Sequence, residues 1–243
     1  MRIVATIEAR MHSTRLPGKV LLPILGRPML ELMIERLRRV SQLDAIVIAT
    51  TSDPSSDPIE ALAQRVGVGC FRGSEADVLE RVLFAARSAQ ADVIVELTAD
   101  CPLIDPELTT EAISAFLAAE VDYASNCLQE PYPRGLDVQV FSTAVLEEVA
   151  RLTIDPADRE HVSLYIYEHP ERYRLLGVSA GPPEAAELRL TVDTIEDFEL
   201  VTQIYQSLYP LNPDFGLREI IELFRQQPEL RLVNADIQQK DVR

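Results

Sequence analysis

Three cationic side chains, Arg10, Arg15 and Lys19, stand within ten residues of one another, and no acid falls between positions 9 and 19. The whole chain holds 39 acids against 23 bases, a formal charge of −16, so this basic island is out of character with its surroundings. Arginine contacts phosphate through parallel N–H donors, and lysine adds a compact point charge. Pro17 and Gly18 forbid a continuing helix. The segment therefore reads as a loop whose backbone N–H groups can turn inward, with Ser13 and Thr14 as hydroxyl donors. This is chemistry for a polyphosphate. The competing reading is a solvated basic loop in surface ion pairs. The loop is not of the Walker type, because Val20 follows Lys19 and Ser13 stands where the first glycine is required. Gly67-Val-Gly69 precedes a strand and has no third glycine, so it reads as a turn.

Carboxylates recur where strands end. Asp100 follows the run DVIVELTA. Magnesium takes one or two carboxylates together with phosphate oxygens, and Asp193 in TVDT offers a second after another short apolar run. Each has a plain structural alternative: Asp100 could cap the turn at Cys101-Pro102, and Asp193 could cap the helix that follows it. Asp105 before Pro106 reads as an N-cap, and Ser74 with Asp77 as a capping box.

The elements that position these groups follow from periodicity. Apolar β-branched runs at 3–7, 45–50, 68–71 and 92–97 alternate with helical patterns at 28–40, 56–66, 74–89 and 106–119. The strands lack polar alternation, which marks a parallel sheet covered on both faces. The fold class expected is α/β, a doubly wound, mostly parallel sheet whose ligands bind beyond the carboxyl ends of its strands. The second half is less regular, with strands expected at 121–125, 136–141, 173–178 and 188–192, and helices at 156–168, 194–208 and 217–226. One domain over 1–227 is expected, with a mobile tail from Pro228.

The composition, 47% hydrophobic and 26% charged, is that of a chain with a full core. Its net charge argues against nucleic acid or an anionic membrane as a partner. The three cysteines form neither a disulfide framework nor a zinc pattern. The N-terminus lacks the apolar stretch of a signal peptide, so a cytoplasmic protein is expected.

The run ARMHSTRLPGKVL resembles the signature loop of the cytidylyltransferases that activate sugar acids, the CMP-Kdo and CMP-sialic acid synthetases, and most of all their spore coat polysaccharide biosynthesis branch. ATTSDP at 49–54, FRGSEADVLER at 71–81, TADCPLIDP at 98–106, YPRGLDVQVF at 132–141, REHVSLYI at 159–166 and LRLTVDTIEDFELV at 188–201 follow in order. The resemblance implies a nucleotidyltransferase-type sheet, with a smaller β element for dimerisation, and transfer of CMP from CTP to an acidic sugar or related polyol. It implies that Arg10, Ser13, Arg15 and Lys19 hold the CTP phosphates, that Arg72 and Ser74 touch the nucleotide, and that Asp100 and Asp193 hold Mg2+. On the acceptor side, Arg134 could pair with a carboxylate or phosphate and Asp137 with hydroxyls; the resemblance adds His161, expected inside a helix. A homodimer is implied. Two rivals remain: a nucleotide-sugar glycosyltransferase on a similar sheet, although no Asp-x-Asp pair follows a strand, and a non-catalytic nucleotide-binding regulator, which would not need two metal carboxylates.

Overall fold

The computed structural model describes residues 1–128, 132–178 and 182–239. Gln129, Glu130 and Pro131 of the Pro- and Tyr-rich loop, Gly181 and the last four positions of the expected tail lie outside the described residues. β1 (Ile3–Glu8) opens the chain, and the basic loop after it ends in a 3₁₀ turn at Lys19–Leu21. A small antiparallel ribbon, β2 (Pro23–Ile24) and β3 (Arg27–Pro28), precedes α1 (Met29–Leu37). There follow β4 (Ala45–Thr51), α2 (Asp57–Val66), β5 (Gly69–Gly73), α3 (Val78–Ser88), β6 (Val93–Thr98) and α4 (Pro106–Ala118). The second half holds β7 (Tyr123–Ser125), β8 (Gln139–Ser142), α5 (Thr143–Leu152), α6 (Pro156–Glu160), α7 (Leu164–Glu168), β9 (Leu175–Gly177), α8 (Ile195–Leu208) and α9 (Leu217–Gln226).

Seven strands form one sheet in the order β5-β4-β1-β6-β8-β7-β9. β8 alone among them runs against its neighbours; the other pairings are parallel. The expected mostly parallel α/β sheet is therefore present, and a single edge collects the loops after β1, β4, β5 and β6. Alternate residues of β1 explain why its run is continuously apolar. Ile3, Ala5 and Ile7 pack with α1, α2 and α4 on one face, and Val4 packs with Val47, Ile94 and the α3 and α5 side chains on the other. A third cluster joins α8 and α9 to Leu103, Leu136 and Leu190, placing the second half over the edge where Asp100 stands.

Four expectations on elements need correction. α3 starts at Val78, not at 74, because Asp77 is its N-cap and accepts from Glu80 N at 2.9 Å; Ser74 Oγ instead accepts from Asp77 N. The helix expected over 156–168 breaks in two, since Val162 takes φ 45° and places its side chain in the core. Residues 188–192 form no strand. Leu188, Leu190 and Val192 alternate into the third cluster, but the backbone N–H of Leu188 donates to Ala185 O at 2.9 Å, that of Leu190 to Arg134 O at 2.7 Å and that of Val192 to Asp100 O at 2.8 Å, rather than to a ladder. The stretch from Pro228, expected as a mobile tail, makes a 3₁₀ turn and lies against the body. Leu230 is buried there, and Asn234 Nδ2 donates to Arg189 O at 3.0 Å and to Asp197 Oδ1 at 2.8 Å.

Candidate active site

The basic loop folds on itself before it reaches the sheet edge. Ser13 N and Gly18 N both donate to Met11 O, at 3.0 and 2.8 Å, and Gly18 takes φ 71°. That left-handed turn, which glycine adopts without a Cβ clash, sends Lys19 inward. Lys19 Nζ then donates to three oxygens: Asp100 Oδ2 at 3.0 Å, Asp193 Oδ1 at 2.9 Å and Val192 O at 2.7 Å.

Asp100 stands two residues beyond β6. Asp193 is brought to it by the 188–193 segment, which is tied down by the Arg134 and Asp100 carbonyls. Gly135 permits the approach: a Cβ there would lie 2.4 Å from Thr191 N and 2.5 Å from Leu190 C. Asp193 is not a helix cap. Thr194 caps α8 in a reciprocal box with Asp197, which leaves the Asp193 carboxylate for charged partners. Its Oδ2 takes Arg15 at 2.9 Å and Arg189 at 2.8 Å. Arg189 in turn is fixed by Asp197, which is fully buried.

The charges are mutually reinforcing. Burial alone would raise the Asp193 carboxyl, but Lys19, with Arg15 and Arg189, outweighs it and holds the group below its ordinary value. Burial would likewise lower the Lys19 ammonium, and Asp100 and Asp193 reverse that and raise it. At this edge a cation sits between two carboxylates with a guanidinium beside them. Two carboxylates that converge on one cationic atom match the protein share of a magnesium site, in which phosphate oxygens supply further ligands. Among the described residues no group of three or more metal-ligating side chains occurs.

The structure thus brings Arg15, Lys19, Asp100 and Asp193 together. Arg10 lies at the loop's start, near Glu8 and Arg81. Ser13 helps fold the loop. Arg72 stands apart and is engaged within the protein, donating to Thr51 O, Asp53 O and Glu60 and pairing with Asp57. Ser74 serves the turn before α3. Arg134 is exposed, and Asp137 lies partly buried beside it; burial, with a contribution from Asp100, raises the Asp137 carboxyl. His161 is not inside a helix, because the chain turns at Val162: it is the exposed C-cap of α6 and takes no part in the ion-pair cluster. Arg189 and Asp197 were not singled out from sequence. Their signal was present in the spacing, since Arg189, Asp193 and Asp197 recur every four residues, but only a turn at 188–194 followed by a helix makes that spacing meet.

The family model for cytidylyltransferases matches residues 4–240. The chain is 36% identical over 235 residues to the spore coat polysaccharide biosynthesis protein SpsF of Bacillus subtilis, covering 93% of this chain and 95% of that one. It is 33% identical over 118 residues to the 3-deoxy-manno-octulosonate cytidylyltransferase of Geobacter metallireducens, covering 49% of this chain and 46% of that one. The structure of a cytidylyltransferase from Leptospira borgpetersenii superposes with a TM-score of 0.89 at 34% identity, over 95% of this chain and 96% of that one. With a sheet edge built to gather cations and carboxylates, and with a family model over residues 4–240 and a relative covering 93% of it, the chain belongs to the cytidylyltransferase family and is a CTP-dependent nucleotidyltransferase.

Proposed function

We propose that this enzyme transfers CMP from CTP to an acidic sugar, releasing pyrophosphate for the assembly of a surface polysaccharide or glycoconjugate. The observation that carries the reading is the placement of Lys19 Nζ within 3.0 Å of both Asp100 and Asp193, with Arg15 on the same carboxylate. In the reaction an acceptor hydroxyl attacks the α-phosphorus, the bond to the β-phosphate oxygen breaks, and the hydroxyl proton passes to solvent. Asp100 and Asp193 would hold Mg2+, which supplies charge neutralisation at the phosphate oxygens. Arg15 and Lys19 exchange their aspartate partners for the triphosphate and balance the charge that grows on the departing pyrophosphate. Arg189 keeps Asp193 in place throughout. Arg10 and Ser13 add donors to the phosphates, and Arg134 and Asp137 face the acceptor. A cytoplasmic location and a homodimer complete the reading; both are supported by the family resemblance, and sedimentation would decide the second.

The deciding experiment is pyrophosphate release with Mg2+, screened over four nucleoside triphosphates and a panel of sugar acids and sugar phosphates. Release that depends on CTP and on a sugar acid is expected. Release of a nucleoside diphosphate from a nucleotide sugar would favour a glycosyltransferase instead, and CTP binding with no turnover would favour a regulator.

A further inference from the structure

Lysine is scarce in this chain: among 23 bases, Lys19 and Lys240 are the only two lysines, and all the others are arginine. Lys19 is also buried, 9% exposed, at the centre of the candidate site. Its ammonium has three N–H donors and no acceptor, and three oxygens take them. They are Asp100 Oδ2 at 3.0 Å, Asp193 Oδ1 at 2.9 Å and Val192 O at 2.7 Å. No single nitrogen of an arginine fork carries three N–H bonds, so only an ammonium can converge on three oxygens from one atom. A compact positive charge inside a set of oxygens is also what a magnesium ion presents.

The carboxylates have little left to offer a second cation. Asp193 Oδ1 is bonded to Lys19, and its Oδ2 to Arg15 and Arg189. Arg189 is held in turn by both oxygens of Asp197 and by Gln239, so it is not the group that gives way. Three bases, Lys19, Arg15 and Arg189, face three acids, Asp100, Asp193 and Asp197, and the cluster is neutral as it stands. A divalent ion meets no net attraction there and must first break the bonds of Lys19. A triphosphate changes the balance, because its oxygens accept from the ammonium as the carboxylates do and bring their own negative charge.

We propose that Lys19 is a built-in stand-in for the metal: its ammonium holds the place between Asp100 and Asp193 against divalent ions, and gives it up when a triphosphate arrives. This rests on the reading above, in which Asp100 and Asp193 are the metal carboxylates and Lys19 passes to the phosphates. Metal and CTP then load together, and each strengthens the binding of the other by the same factor. Without nucleotide the two carboxylates keep a cation between them and the site takes no metal. With nucleotide Lys19 leaves, and the exposed pair of negative charges draws the divalent ion in.

The test uses the full chain and binding rather than turnover. With no nucleotide present, Mn2+ left in solution is counted by electron paramagnetic resonance. Lys19→Met is expected to bind Mn2+ about tenfold or more tightly than wild type, because apparent affinity rises with the fraction of sites that stand open. Asp100→Asn added to Lys19→Met should abolish that gain. Equal Mn2+ affinity in wild type and folded Lys19→Met overturns the proposal, and so does a gain that survives Asp100→Asn. The scarcity of lysine supplies a second measurement on the wild-type chain, should Lys19→Met fail to fold. Lysine labelled with 13C at Cε gives signals from Lys19 and Lys240 alone, and Lys240→Arg tells them apart. Mg2+ alone should leave the Lys19 signal in place. Mg2+ with a CTP analogue carrying a methylene between the α- and β-phosphorus should shift it. A signal that Mg2+ alone moves as far, or that neither addition moves, overturns the proposal. A chain that transfers CMP but gives either of those results keeps the transfer reading and loses this one. A chain that releases no pyrophosphate, yet shows the Mn2+ gain and the nucleotide-dependent shift, loses the transfer reading and keeps the coupling of metal to nucleotide.

Discussion

Two acid pairs on one sheet answer the same problem in opposite ways. Asp100 and Asp193 meet across Lys19, with Arg15 and Arg189 on the second carboxylate, and Asp193 is held ionised. Glu8 of β1 and Glu96 of β6 lie on the α3 face of the same sheet, and burial raises both carboxyls, Glu96 well above its ordinary value, although Arg81 and Arg10 lie near Glu8. Two bare carboxylates about 4 Å apart repel by roughly 4 kcal/mol at the effective dielectric of a protein surface. A lysine removes that cost at one site, and a proton removes it at the other. The first arrangement can hand its cations to a triphosphate and keep its carboxylates for metal. The second keeps Glu96 neutral. What separates the pairs is direct bonding: Lys19, Arg15 and Arg189 form ion pairs with the aspartates, whereas among the described residues no ion pair to Glu8 or Glu96 occurs.

The comparison breaks most directly at Asp100. On the proposed function, in which the site neutralises charge at the phosphates, Asp100→Ala should lower kcat by about a thousandfold or more while far-UV circular dichroism stays native. Near-normal CTP turnover in this variant would remove the metal assignment. Lys19→Met is expected to cost about a hundredfold in kcat. It also removes the charge that does most to hold the Asp193 carboxyl down, while Arg15 and Arg189 stay bonded to it. The Asp193 carboxyl of Lys19→Met should therefore titrate higher than in wild type. Titration followed by NMR of the carboxyl carbons would show it, and an unshifted Asp193 would refute the contrast.

Arg189 sharpens the same contrast in stability rather than rate. Its guanidinium binds Asp197 at 2.9 Å, and Asp197 is fully buried. Arg189→Met leaves that carboxylate with backbone N–H donors and Asn234 but no countercharge, a loss of about 3 kcal/mol. Urea denaturation measures it. A variant as stable as wild type would mean that the N–H donors alone suffice, and that Arg189 is not what orders Asp193.

How far all this was readable beforehand follows the same division. β1, β4, β5 and β6 and their helices were legible because a parallel sheet covered on both faces leaves continuous apolar runs. The loop at 9–19 was legible because its charge contradicts the rest of the chain. The second half was harder, since its decisive bonds are non-local. Leu188, Leu190 and Val192 alternate as a strand would, yet the Leu190 and Val192 donors go to Arg134 O and Asp100 O, far back in the chain. The helix break at Val162 has no proline or glycine to announce it. The end of the chain looked like a tail because it is mostly polar, yet Leu230 packs into the third cluster and Asn234 bonds Arg189 O and Asp197. Arg72, basic and near a nucleotide-like motif, carries no mark in sequence that Asp57 and Glu60 occupy it. Asp92 and Glu96 both stand in the run DVIVEL, and that Glu96 comes beside Glu8 follows only from the register of β1 against β6.

The smallest expected effect tests the proton on the second pair. Folding keeps Glu96 protonated above its ordinary value of 4.5, chiefly through burial. As pH rises past that value the unfolded chain ionises there while the folded chain still holds its proton. The folded state then binds more protons than the unfolded one, so stability falls with rising pH, and it is level below, where both states are protonated. Glutamine has no proton to lose. Glu96→Gln should therefore match wild type near about pH 4 and become the more stable of the two as pH climbs toward about 7, read as a widening gap between their urea midpoints. Parallel midpoints across that range would mean that Glu96 ionises in the folded protein like any exposed carboxyl, and the distinction between the two acid pairs would vanish.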